Sequence, residues 1–237
     1  MSKIKKHRYD AFSVLEFMTE EECKKVIAYL EFLADSGNLK WNQISFYESY
    51  AMGFWDTDIN LLAFGLPADY FKNLNVRIRE KVEECLGFKV SEISYHAQKW
   101  IEGAFASFHS DNCDEEGNPT PFERSRYAAF LYLNEDFTGG KLNFKHFDLS
   151  IEPKVGMLAV FAGGFGMEHE VATVKSGTRY TIGSFWDRAD AVYSEEQKEA
   201  WAKELADIRA LQDDMYKAWD KGKEIGNIPI YKSKEEL

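Results

Sequence analysis

Cysteine is scarce in this chain. There are three, Cys23, Cys85 and Cys113, far apart and without a CxxC pair. That count excludes a disulfide framework and a cysteine-built zinc site. Reduced thiols in a cytoplasmic protein are the expectation. Long apolar runs are missing too, since none approaches the ~18 residues of a membrane-spanning helix. Positive charge is in deficit. A net charge of −11 disfavours nucleic acid and anionic membranes as partners, because both are polyanions. The segment Met1–Asp10 is basic but has no apolar stretch behind it, so no signal peptide is expected. The final residues, Lys234-Glu235-Glu236-Leu237, resemble an endoplasmic-reticulum retention tetrapeptide but read as the end of a charged tail. Internal repeats, low-complexity segments and linkers are absent.

Core-forming material is abundant. Of 237 residues, 45% are hydrophobic and 15% aromatic, enough for one globular domain. Thr19 and Glu22 form a capping-box pattern, predicting a helix from Glu20 to Ala34. Phe71, Leu74, Ile78, Val82 and Leu86 recur at helical steps, predicting a second helix from Asp69 to Leu86 closed by Gly87. From Ser91 to Trp186 the period becomes two. Strands are expected at Glu92–Ile101, Arg126–Asn134, Lys141–Phe147, Met157–Ala162, Glu170–Lys175 and Thr178–Trp186. Glycine pairs and Ser176-Gly177 punctuate them as turns. Ser194 with Gln197 opens a long C-terminal helix whose apolar face runs from Trp201 to Trp219. That face reads as packing on the outside of the barrel rather than as a dimer interface. The order is residues 1–90 as helical support, 91–188 as a β core and 189–237 as helix and tail. This pattern predicts a mainly β fold, a sandwich or jelly roll with flanking helices.

The chemistry gathers around His109-Ser110-Asp111. On a strand, positions i and i+2 share a face, so imidazole and carboxylate can meet one metal ion. His169 follows about sixty residues later, after the turn Gly163 to Gly166. Two histidines and one carboxylate match the facial triad of non-haem Fe(II) oxygenases, which leaves positions open. Zinc takes nearly the same ligands, usually in a four-coordinate site. Arg179 lies ten residues after His169, and alternation puts Arg179, Thr181, Gly183 and Phe185 on one face. A tight hairpin over Lys175–Thr178 is expected to return Arg179 to the pocket of His169. A buried guanidinium there needs an anion, and a dicarboxylate fits its fork.

From Trp100 to Trp186 the chain resembles the catalytic domain of Fe(II)/2-oxoglutarate-dependent prolyl hydroxylases. The resemblance rests on His109-Ser-Asp-Asn-Cys113, Arg126-Tyr-Ala-Ala-Phe-Leu-Tyr-Leu-Asn134, Asp136-Phe137, Gly139-Gly140, His169 and Arg179. It is nearest to collagen prolyl 3-hydroxylases and is similar also to prolyl 4-hydroxylases. It implies a double-stranded β-helix, with His109, Asp111 and His169 holding Fe(II). It implies that Arg179 pairs with the distal carboxylate of 2-oxoglutarate, with Tyr132 and Thr181 beside it. Where such enzymes often carry a co-substrate-binding tyrosine, this chain has Trp100. Cofactors implied are Fe(II), 2-oxoglutarate and O2, with ascorbate as candidate reductant. The implied reaction hydroxylates the substrate and converts 2-oxoglutarate to succinate and CO2. A carboxylate at Asp111, where related halogenases have a small residue, points to hydroxylation.

Other residues have plainer readings. His7, His96 and His146 lack spaced partners and read as structural. Cys113 reads as an ordinary loop thiol. The acidic loop Asn112 to Glu123 adjoins the metal motif, and long loops beside sites often contact substrate. The aromatic segment Phe46 to Phe64 is a candidate cleft wall. Three functions stay open: hydroxylation of a prolyl residue in a peptide or protein, hydroxylation of a free amino acid or other small molecule, and non-catalytic metal binding by a jelly roll.

Overall fold

The computed structural model describes residues 2–7, 10–37, 41–44, 49–52, 61–120, 122–200 and 202–203. Contacts divide the chain into two compact units, Met1–Asp190 and Ala191–Leu237. The first unit begins with β1 (Lys3–Lys6) and β2 (Ala11–Leu15), then α1 (Glu20–Asp35). Next come β3 (Asn42–Ile44), β4 (Ser49–Met52), a 3-10 turn at Leu61–Phe64 and α2 (Tyr70–Leu86). The remaining strands are β5 (Val90–Trp100), β6 (Ala106–His109), β7 (Tyr127–Tyr132), β8 (Thr138–Gly139) and β9 (Leu142–Phe144). They are followed by β10 (Leu149–Ile151), β11 (Leu158–Ala162), β12 (His169–Val171), β13 (Val174–Ser176) and β14 (Arg179–Arg188).

The strands form an eight-stranded sheet ordered β1-β2-β11-β7-β14-β5-β4-β3 and a four-stranded sheet ordered β10-β9-β12-β6. A two-stranded piece joins β13 to β8. Two facing antiparallel sheets make the jelly roll that the strand pattern predicts. The larger sheet is covered on both faces, so its central strands read as nearly continuous apolar runs. In β7, Ala129 and Leu131 pack with the helices, while Ala128 and Tyr132 face Leu142, Phe144 and Phe161 of the inter-sheet core.

Helix α1 buries Cys23, Val26, Tyr29, Leu30 and Leu33, and α2 buries Phe71, Leu74, Ile78 and Val82. Both stripes follow the three- and four-residue steps of an amphipathic helix. Thr19 Oγ1 accepts from the Glu22 amide at 3.2 Å, which satisfies one free N–H of α1. The Glu22 carboxylate accepts from the Tyr70 hydroxyl at 2.7 Å and Arg77 Nη1 at 2.9 Å, tying α1 to α2. Gly87 ends α2 at φ +81°, donating to the Glu83 carbonyl at 2.8 Å.

Several expectations need correction. Residues 1–90 are not only helical support, because β1 to β4 join the larger sheet. The strand expected at Glu170–Lys175 is two strands, β12 and β13, in different sheets. The chain leaves the smaller sheet at Ala172-Thr173, which periodicity alone does not mark. The strand expected at Lys141–Phe147 stops at Phe144 and turns into β10. Phe64 packs on Tyr29 and Phe32 of α1, at 5.6 and 5.2 Å between ring centroids, and so serves the helical core. Residues 46–48 and 53–60 of the expected cleft wall lie outside the described residues. In the second unit, Ser194 and Gln197 exchange capping hydrogen bonds at 2.9 and 3.1 Å. The face from Trp201 to Trp219 lies outside the described residues. All three cysteines are free thiols, and burial pushes Cys23 up to about 12 and Cys85 up to about 11. Among the described residues no helix is long and apolar enough to cross a membrane.

Candidate active site

The two sheets face each other across a pocket. Its lining includes His109, Asp111 and His169, and with them Trp100, Tyr132 and Arg179. His109 is the last residue of β6 and sits directly across from His169, the first residue of β12. Their ring centroids are 4.6 Å apart. Asp111 lies beyond the strand, in a bend, so strand alternation is not what aims it. Its amide donates to the Gly163 carbonyl at 2.7 Å, which pins the bend against the turn leading to β12. Asp111 Oδ1 is then 3.7 Å from Nε2 of each histidine. One ligand atom from each residue lies within 4.8 Å of the other two, close enough to hold a single ion.

Hydrogen bonding fixes the tautomers. His109 Nδ1 lies 2.7 Å from the Ser107 carbonyl, and His169 Nδ1 lies 3.1 Å from the Met167 carbonyl. A carbonyl only accepts, so each Nδ1 carries the proton and each Nε2 turns a lone pair toward Asp111. This is the outer-shell arrangement that orients metal-binding imidazoles. Burial lowers the pKa of both, that of His169 to about 3, with the His109 charge adding to the effect. Burial also pushes Asp111 well above its ordinary value, and its Oδ2 has no hydrogen-bond partner among the described residues. A divalent cation supplies the charge that ionises such a carboxyl. The donor set therefore fits a metal ion.

Gly163 is required by this geometry. A Cβ there would stand 2.1 Å from Asp111 Oδ2. Gly163→Ala should displace the carboxylate and weaken metal affinity about ten- to hundredfold, the cost of disturbing a ligand's supporting shell. Calorimetric titration with Mn(II) measures this, and unchanged affinity would show that Asp111 is not aimed by Gly163.

Arg179, at the start of β14, is 2% exposed. Its guanidinium carbon lies 5.1 Å from the Trp100 ring centroid and 5.0 Å from that of Tyr132. Register explains the sandwich: Arg179 pairs with Trp100 across β5, while Thr181 pairs with Tyr132 across β7. Arg179 Nε and Nη1 and the Tyr132 hydroxyl have no hydrogen-bond partner among the described residues. Burial lowers the Arg179 pKa and neighbouring Tyr132 opposes that, but a guanidinium stays charged in proteins. A buried cation with unused donors fits an anionic ligand.

The hairpin expected to join His169 to Arg179 is not there. β12 is in the smaller sheet and β14 in the larger, and β13 between them pairs with β8. The two residues meet because the sheets face each other. Trp100 lines the pocket, whereas the buried Thr181 is not among its lining residues; both donate to Gln98 Oε1, at 3.3 and 3.2 Å. Sequence reasoning missed Gln98. Its one sequence signal is the i, i+2 step from Trp100, which puts both on the inner face of β5. His7 bonds to Ser13 Oγ at 2.8 Å, His146 pairs with Glu168 at 2.8 Å, and His96 stacks on Phe185. None of these three joins the ligand cluster.

Residues 93–187 match the 2OG-Fe(II) oxygenase superfamily. Human prolyl 3-hydroxylase 2 is 35% identical over 99 residues, covering 37% of this chain and 14% of that protein. The chain thus matches only a small part of the length of these curated relatives. The crystal structure of a Pseudomonas putida prolyl-4-hydroxylase is similar with TM-score 0.57 and 19% identity, over 76% of this chain and 94% of that one. A Trichoplax adhaerens prolyl hydroxylase, in complex with a hypoxia inducible factor peptide fragment, gives TM-score 0.55 and 15% identity over 76% and 84%. The structural matches speak to the jelly-roll fold, and the sequence matches cover the segment that holds all three ligand residues and Arg179. Residues 93–187 are thus similar to the 2OG-Fe(II) oxygenase superfamily, and a segment of the chain is similar to prolyl 3-hydroxylases.

Proposed function

We propose that this chain hydroxylates prolyl residues in a peptide or protein, using Fe(II), 2-oxoglutarate and O2. The observation that carries the proposal is one pocket lined by both a three-ligand cluster and an unsatisfied, buried Arg179. In this reading His109, Asp111 and His169 hold the iron, and Arg179 with Tyr132 receives the distal carboxylate. Bound iron with its co-substrate supplies oxidation of an unactivated C–H bond, with release of succinate and CO2. The side chains orient and exclude water. The Nδ1–H bonds to Ser107 and Met167 lock both imidazoles. Phe130 and Phe185, edge-to-face at 5.8 Å, make part of the pocket wall apolar. Ascorbate as reductant belongs to the same proposal.

The surroundings support an extended substrate. The loop after Asp111 is an ordered hairpin, with Cys113 bridged to Pro119 and the Asp114 amide donating to the Asn118 carbonyl at 2.9 Å. Phe165, 65% exposed, lies against Gly117 of that hairpin. Phe108, next to His109, is 40% exposed. Exposed aromatic surface beside a reactive centre suits proline-rich chains, which are already extended and lose little entropy on binding. Exposed Glu115 and Glu116 at the hairpin tip favour basic residues near the target proline. The test is mass spectrometry after incubation with iron, 2-oxoglutarate, ascorbate and a panel of proline peptides with basic or acidic flanks. A gain of one oxygen on peptidyl proline, greater with basic flanks, is expected. Hydroxylation of free amino acids alone would move the assignment to a small-molecule hydroxylase. Absence of any 2-oxoglutarate turnover would favour a non-catalytic metal-binding jelly roll.

A further inference from the structure

Three cross-strand rungs line the inner face of β5 and β14: Trp100 opposite Arg179, Gln98 opposite Thr181, and His96 opposite Gly183. The middle rung connects the other two. The indole N–H only donates, so its partner at 3.3 Å must be the amide oxygen of Gln98. The Thr181 hydroxyl donates to the same oxygen at 3.2 Å. That leaves the Gln98 amide nitrogen facing His96 Nε2 at 3.1 Å, where it donates to a neutral imidazole. Burial lowers His96 to about 4, so it stays neutral and can accept at physiological pH. Gly183 keeps this rung narrow, since a Cβ there would stand 3.6 Å from His96 Nε2 and 2.8 Å from the Phe130 ring. Gln98 is 3% exposed, and the bonds it accepts from Trp100 and Thr181 and donates to His96 fix its orientation.

We propose that Gln98 is a positioning residue: it fixes the Trp100 indole against Arg179, so that the guanidinium is held ready for the carboxylate. The effect is indirect. An aromatic face held at 5.1 Å limits the rotamers of a long side chain that otherwise loses much freedom when it binds. The proposal rests on the reading that Arg179 receives the distal carboxylate of 2-oxoglutarate.

The test is a double-mutant cycle on the full chain, read by calorimetric binding of 2-oxoglutarate. Protein is loaded with Mn(II) as a redox-quiet substitute for Fe(II). Gln98→Met keeps the volume and removes the hydrogen bonds. It should weaken 2-oxoglutarate about tenfold, the value of one to two neutral hydrogen bonds, and leave Mn(II) affinity unchanged. In a Trp100→Phe background the same change should cost less than about twofold, because the group that Gln98 holds is already gone. If Gln98→Met does not fold, Gln98→Asn, too short to reach all three partners, carries the same cycle. Additive losses, or normal 2-oxoglutarate affinity in the Gln98 variant, overturn the positioning role alone. No 2-oxoglutarate binding to the Mn(II)-loaded wild type overturns the dicarboxylate reading itself, and this proposal with it.

Discussion

His169→Ala should reduce Fe(II)-dependent succinate formation to the background of the protein-free reaction. His169 is 3% exposed, with the Phe161 ring edge-on at 4.6 Å, so its truncation leaves a ligand position beside an apolar ring. Loss of supporting residues costs metal affinity about ten- to hundredfold, so loss of the ligand itself should cost more than about a hundredfold. The removed imidazole is bulky and buried, so the variant needs a folding control by circular dichroism. A folded variant with near-wild-type turnover would show that iron, if used, is held elsewhere. His109→Ala should behave alike, with a milder effect on stability because that side chain is 24% exposed.

Arg179→Leu should give two results of opposite sign. Binding of 2-oxoglutarate should weaken by about 1.5–3 kcal/mol, the worth of charge-assisted hydrogen bonds. The protein without co-substrate should melt at a higher temperature, because a buried cation lacking an anionic partner is replaced by an apolar side chain. The increase in melting temperature that 2-oxoglutarate gives the wild type should shrink accordingly. Arg179→Lys should rescue binding only in part. Lysine lacks the planar face that sits between Trp100 and Tyr132, and it lacks the fork. Unaltered co-substrate affinity in Arg179→Leu would place the anchor at another residue.

Much of this was legible because it obeys local rules. The stripes of α1 and α2 lie where three- and four-residue steps put them, and β5, β7 and β14 fall within two residues of the expected spans. The triad was legible because His109 and Asp111 are neighbours and His169 follows a glycine-rich turn. What stayed hidden depends on distant chain. Nothing local marks Ala172-Thr173 as the exit from the smaller sheet, so ten residues between His169 and Arg179 suggested a hairpin. Ala11–Leu15 is short and has no distinctive turn before it, yet β11 and β1 recruit it as an interior strand. Gln98 looks like any strand glutamine until Thr181, eighty-three residues on, arrives opposite it.

The separation of β12 and β14 into different sheets also has a mechanical side. The span from His169 to Arg179 runs from the smaller sheet to the larger. Leu142, Phe144, Phe161 and Tyr132 belong to the packed core between the sheets, and Leu142 and Tyr132 also line the pocket. Protein interiors resist compression and yield little. The spacing of the two sheets beside the pocket is therefore as stiff as that core, so a diacid held there would meet walls that do not adjust to its length. Sites on loops adapt to ligands of several lengths; walls built on packed strands adapt less.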